Sequence, residues 1–277
     1  MTDPTDGPVA ATLAAVADEG PLVQHLTNEV TMSETANVTL HWNALPVMAD
    51  APSEAAEMAT GADAVLLNTG RATADEVDAM VEAGAAANDA GTPVVLDPVG
   101  YGATSHRVSS VGRILDAIAV DAIKGNAGEI GGLAAELVGT DATAEMRGVE
   151  SVGTETDLAD AARALATETG AVVLASGAVD VVADATAAYA VRAGHERMGT
   201  FVGSGCMLGS TVAAFAAVAP PLRAAVHASA VYGLAGERAA AEASDGPATY
   251  RTAFMDTVAA VADDRPAVDL DERIERA

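Results

Sequence analysis

The chain has 277 residues, half of them hydrophobic but only 3% aromatic, so a sizeable core has to be built from Ala, Val and Leu. Forty Asp and Glu stand against 14 Lys and Arg, a net charge of −26, which repels nucleic acid and anionic membrane and excludes both as partners. No run of about 20 apolar residues is present, the first seven residues carry no basic segment, and the single cysteine, Cys206, leaves no internal disulfide; the expectation is a soluble protein of a reducing cytoplasm.

Short β-branched runs alternate with Ala- and Glu-rich helical patterns, which predicts an α/β fold with a mostly parallel central sheet and helices on both faces. In chain order, strands are expected over 22–25, 44–47, 64–67, 93–97 and 121–124, with helices over 74–90 and 127–137 between them. The stretch 139–155 is polar and rich in Gly and Thr, and reads as a long loop before a helix over 157–169. Strands follow over 171–175, 179–183 and 187–192. Asp184, Ala185 and Thr186 make a hairpin-length link between the last two, so part of the sheet near one edge should be antiparallel. From Cys206 the pattern turns helical, through 218, then over 222–243 and 249–261. The charged tail 263–277 is expected to end in a short surface helix or to fray. Without an internal repeat or a long linker, the chain reads as one domain over 1–277. Its acids are scattered over helix faces instead of forming one run, which reads as a solvated coat suited to a salty cytoplasm, a halophilic trait.

Three motifs have residue types that can carry chemistry. Gly203-Ser204-Gly205-Cys206-Met207-Leu208-Gly209-Ser210 opens an apolar helix. Glycines there let backbone N–H groups point at an anion and the helix dipole adds to the field, although a Gly-rich turn also serves close packing. A cysteine in the first turn favours a lowered thiol pKa and use as a base. Lys124-Gly125-Asn126-Ala127-Gly128-Glu129 sits at a strand-to-helix junction, and Lys124 is the only lysine of the chain. Asn126 and Glu129 have the spacing of a capping box; the same Glu129 is equally suited to stand beside magnesium, with Lys124 on nucleotide phosphates. Asp97 ends the apolar strand before Pro98, either as a simple turn residue or as a ligand at the carboxyl end of a parallel sheet, where sites gather.

Weaker features are Ser176 before Gly177, a turn cap or a phosphate ligand, and Met48 after Pro46-Val47, core filler or pocket wall. The histidines at 25, 41, 106, 195 and 227 show no zinc-ligand spacing. No Gly-x-x-x-x-Gly-Lys-Ser/Thr run is present, which excludes a P-loop kinase.

In this order these segments, with Leu26-Thr27-Asn28-Glu29-Val30, Pro46-Val47-Met48-Ala49, Leu67-Asn68-Thr69-Gly70 and Gly246-Pro247 before Phe254, resemble the hydroxyethylthiazole kinase family over about residues 24–261. The resemblance implies a ribokinase-like fold and ATP-dependent phosphorylation of the primary alcohol of hydroxyethylthiazole in thiamine salvage. It implies that Met48, Gly203 and Asn28 contact substrate, that Lys124 and Ser176 bind ATP, that Asp97 and Glu129 surround magnesium, and that Cys206 accepts the hydroxyl proton. It further implies a homotrimer with sites between subunits. Trp42, in a stretch that is commonly small in the family, is expected at the pocket edge or at an oligomer contact. The competing readings are a related kinase for a hydroxymethylpyrimidine or pyridoxal-like alcohol, and a nucleotide-binding regulatory protein without turnover.

Overall fold

The computed structural model describes residues 7–139, 154–243, 246–264 and 270–277. Apart from its two ends, the predicted 139–155 loop lies outside them. One nine-stranded sheet runs through the described residues in the order β2-β1-β3-β4-β5-β6-β7-β8-β9. Its strands are β1 (Leu22–Leu26), β2 (Leu45–Val47), β3 (Ala64–Asn68), β4 (Val94–Asp97), β5 (Ala122–Asn126), β6 (Val172–Ser176), β7 (Asp180–Ala183), β8 (Ala188–Val191) and β9 (Ile274–Arg276). Neighbours from β2 to β6 pair in parallel, and β6 through β9 pair antiparallel. The eight predicted strands are all present to within two residues at either end. β3 and β4 are buried along their whole length, as continuous Val and Leu runs require when helices cover both faces.

The tail departs from expectation. Asp271–Arg273 forms a short 3-10 helix at the surface, but the tail neither ends there nor frays, because Ile274–Arg276 adds the ninth strand beside β8. Arg192 Nε donates to Glu275 at 2.9 Å across that pair, and Arg273 reaches Glu237. A charged segment with one Ile has too little apolar surface to signal a strand by itself; the ladder of β8 supplies the partner.

Helices α1 (Val9–Glu19), α2 (Met32–His41), α8 (Ser204–Ala216), α9 (Pro221–Glu242) and α10 (Pro247–Asp263) pack on one face of the sheet. On the other face lie α3 (Ala55–Ala59), α4 (Ala74–Ala90), α5 (Ser105–Ala117), α6 (Ala127–Val138) and α7 (Glu155–Thr169). The first face holds the large side chains, among them Trp42, Phe215, Tyr250 and Phe254. Trp42 is fully buried, donates its indole N–H to Thr211 Oγ1 at 2.9 Å and meets Phe215 edge-on with centroids 6.0 Å apart. It therefore belongs to the core, and neither the pocket edge nor an oligomer contact is its place. Among the described residues, no helix is long and apolar enough to cross a membrane.

Candidate active site at the carboxyl end of the sheet

Parallel strands deliver their last residues to one edge, and here three of them deliver polar groups side by side. Asn68 ends β3 directly beside Asp97 at the end of β4. Asn68 Nδ2 donates to Asp97 Oδ2 at 3.0 Å. Asn68 Oδ1 accepts from Gly70 N and from Asn28 Nδ2, each at 3.0 Å. Asn28, just past β1, lies with its Nδ2 3.7 Å from Cys206 Sγ and takes the Thr31 hydroxyl on its Oδ1 at 3.3 Å. A line of polar contacts thus connects the thiol of α8 to a carboxylate at the end of β4.

Lys124, on β5, completes this centre. Its Nζ lies 3.6 Å from Asp97 Oδ1 in a pair that is almost wholly shielded from water. The same Nζ lies 3.0 Å from where a Cβ on Gly205 would be, so glycine at 205 lets the first turn of α8 come down over the ammonium. Gly203, the residue before α8, has φ of +96° and would bring a side chain to 3.0 Å from the Thr31 methyl. Only glycine takes that backbone without strain. No side chain caps α8, so its first N–H groups lack intrahelical partners and face the end of the sheet with the positive end of the helix dipole.

Burial sets the protonation of these groups. Asp97 is pushed up to about 7, because loss of water and the charge of Glu129 outweigh the attraction of Lys124. Burial pulls Lys124 down, but Asp97, Glu129, Cys206 and Asp180 together more than offset it and raise its pKa. Cys206 moves up as well. Burial and the Asp97 carboxylate raise it by more than Thr31, Lys124 and Asn68 lower it. The expectation of a lowered thiol pKa, drawn from the helix start alone, is overturned: the dipole acts, but desolvation and a nearby anion win.

Glu129 does what a cap does and more. Its N–H bonds Asn126 Oδ1 at 2.9 Å while its Oε2 accepts from Asn126 N at 2.8 Å, a complete capping box. Its Oε1 accepts from Gly100 N at 2.6 Å, tying the turn after Asp97 to the start of α6. Ser176, opposite Asn126 in the ladder, donates its hydroxyl to Gly125 O at 3.2 Å. Met48 is half-buried just beyond the edge strand β2; β1 and β3 separate that strand from the one bearing Asp97.

The structure therefore brings Asn28, Asp97, Lys124 and Cys206 together, joins Gly203 to them through Thr31, sets Glu129 just past the strand of Lys124, and sets Ser176 one strand further along. Met48 stands at the far rim. A cavity of about 150 Å³, lined by Leu26, Asn28, Asn68, Arg71, Glu76 and Met80 among others, opens against this centre. Asn68 is the bridging residue that sequence reasoning did not single out. Its signal was available, since it ends an apolar strand on a polar group as Asp97 does.

The Hydroxyethylthiazole kinase family model matches residues 13–264. A hydroxyethylthiazole kinase of Natronomonas pharaonis is 46% identical over 274 residues, covering 97% of this chain and 95% of the relative. One of Haloquadratum walsbyi is 44% identical and covers all of this chain and 96% of its own. The solved structure of hydroxyethylthiazole kinase from Pyrococcus horikoshii OT3 superposes with a TM-score of 0.86 at 34% identity, over 97% of this chain and 98% of that one. A ribokinase-like superfamily protein of Enterococcus faecalis V583 shares the fold alone, with a TM-score of 0.61 at 12% identity over 94% of this chain and 92% of that one. With the family model spanning nearly the whole chain and relatives matched end to end, this ribokinase-like α/β protein belongs to the hydroxyethylthiazole kinase family.

Proposed function

We propose that the chain, as one kinase domain, transfers the terminal phosphoryl group of ATP to the primary alcohol of 4-methyl-5-(2-hydroxyethyl)thiazole in thiamine salvage. The observation that carries this reading is the unbroken line Cys206–Asn28–Asn68–Asp97 with Lys124 beneath the uncapped start of α8. It offers an anion cradle, a cation and a proton acceptor at one place. A phosphoryl group in flight carries its charge on equatorial oxygens and needs little from the protein beyond positioning and electrostatic stabilisation.

In this reading Lys124 and Ser176 hold the nucleotide, and the backbone N–H groups after Gly203 face the transferring group. Met48, Gly203 and Asn28 hold the alcohol, and Cys206 accepts its proton. Asn28 orients that thiol, because its amide is already fixed by Asn68 and Thr31. The carboxylates suit magnesium. Asp97 Oδ1 accepts no hydrogen bond and has only the Lys124 ammonium near it, at 3.6 Å, and each Glu129 oxygen keeps a lone pair beyond the N–H it holds. Magnesium on a nucleotide takes one or two carboxylates and fills the rest with water and phosphate oxygens. Bound there, it would neutralise phosphate charge. Among the described residues, no cluster of three acidic, His or Cys groups suggests a cage made of protein alone.

The homotrimer belongs to the same proposal. Val30, Leu40, Leu45 and Val202 are large apolar side chains at least 48% exposed. They lie on α2, on edge strand β2 and in the loops that meet at Thr31 and Gly203. An active monomer in sedimentation at high salt would overturn it. The acidic coat is proposed as halophilic adaptation; equal stability in about 0.1 M and in multimolar salt would refute that. The function itself is tested by ATP consumption over a panel of hydroxyethylthiazole, hydroxymethylpyrimidine and pyridoxal. Preference for the first supports it, and preference for either other alcohol, or no turnover, removes it.

A further inference from the structure

Asp180 is a carboxylate shielded from water for which phosphoryl transfer has no direct use. It opens β7 at 9% exposure. Its Oδ1 accepts from Gly177 N at 2.9 Å, and its Oδ2 accepts from the Ser229 hydroxyl at 2.6 Å. Ser229 is itself buried in the middle of α9. Asp180 therefore joins three elements: the end of β6, the start of β7 and α9. Only Gly177, Ala178 and Val179 separate Ser176 from Asp180, so the carboxylate closes that turn from inside. Ser176 stands beside Asn126 in the ladder, and Asp180 also acts on Lys124 through its charge.

Loss of water raises the Asp180 pKa, and the bonds from Ser229 and Gly177 and the charge of Lys124 offset it only in part. What these bonds fix is the short turn that carries Ser176, with α9 as the anchor. We propose that Asp180, with Ser229 behind it, is a positioning residue for nucleotide binding: it holds the 176–180 turn in the shape that receives ATP and leaves the alcohol site alone. The proposal rests on the nucleotide reading of Ser176 and Lys124 above. Asp180 acts through its two hydrogen bonds, so a side chain that keeps both keeps the function. In asparagine the amide oxygen can accept from Gly177 and the amide nitrogen can donate to the Ser229 oxygen.

The test is steady-state kinetics of the full chain with ATP and the alcohol varied separately, alongside thermal denaturation. Asp180→Ala should raise KM for ATP by about 10- to 100-fold, the range that a lost hydrogen bond to a charged group implies, with KM for the alcohol within about twofold. Asp180→Asn should restore KM for ATP to within about threefold, and Ser229→Ala should fall between. An Asp180→Ala protein whose KM for ATP is unchanged, or whose two KM values rise together, overturns the proposal, as does an Asp180→Asn protein no better than the alanine variant. Should Asp180→Ala fail to fold, Ser229→Ala decides, and an unchanged KM for ATP there has the same force. A wild-type protein that turns over no alcohol with ATP would instead remove the functional reading beneath it, which the wild-type arm shows first.

Discussion

The two faces of the sheet are built by different means. Seven of the eight aromatic residues pack on the face of α1, α2, α8, α9 and α10, and only Tyr101 joins the other. No side chain caps any of the five helices of the aromatic face. Opposite them, α4, α6 and α7 each begin with a capping box, Thr104 caps α5, and only the five-residue α3 lacks a side-chain cap. One face places its helices by bulk, the other by hydrogen bonds at their ends. The consequence is chemical. A helix held by packing can leave its first N–H groups open to a ligand, as α8 does. A helix held by its cap cannot, and α6 reaches the site only through the capping residue itself, Glu129.

The largest effect that would break this comparison is catalytic. Replacing Cys206 with Ala should lower kcat by about 10²–10⁴-fold, as loss of a general base does, while α8 keeps its place because packing holds it. The pH profile sharpens the test. With the thiol raised by burial and by Asp97, kcat of the wild type should climb by up to about tenfold per unit from pH 6 to 9. The Cys206→Asp variant, whose carboxyl starts from a far lower pKa than a thiol, should stay active and reach its plateau at lower pH than the wild type. A flat wild-type profile with an active alanine variant would leave catalysis to the helix start alone.

Next in size, Trp42→Ala should destabilise by about 3–5 kcal/mol, since it empties the largest fully buried side chain of the aromatic face and removes the indole donor from the Thr211 hydroxyl, which keeps only its bond to Met207 O. Denaturant unfolding reads this directly, and a loss under about 1 kcal/mol would mean that the aromatics do not place these helices. The smallest pair of effects comes from the capped face. Thr154→Ala, at the α7 cap, should lower stability by about 1 kcal/mol and leave turnover intact. Glu129→Gln should lower stability by about as much but reduce magnesium-dependent turnover far more. If the two variants behaved alike in both measurements, Glu129 would be a cap and nothing else.

Most of this architecture was legible because strands buried on both sides write themselves as Val, Leu and Ile runs, and β3, β4 and β6 are of that kind. β9 was not, since Ile274-Glu275-Arg276 is a strand only where β8 lies beside it. Asp97, Glu129 and the Gly203 turn were legible as strand ends and helix starts, which parallel topology gathers at one edge. The sequence could not show that Asn68 bridges Asp97 to Asn28, because the bridge spans three strands far apart in the chain. The protonation of Cys206 was misread for the same reason: the dipole of α8 is a local property, whereas burial and Asp97 arrive from elsewhere in the fold.

Lys124 is the only lysine of the chain and is 3% exposed. Every side-chain amine of this protein therefore lies inside the candidate site, beneath Gly205 and against Asp97. Acylating reagents, which on most proteins coat the surface indiscriminately, find a single internal side-chain target here. The rate at which Lys124 takes up such a label becomes a clock for how often the carboxyl end of the sheet opens to solvent, and anything seated over the lysine slows that clock without the need for a probe to be engineered in.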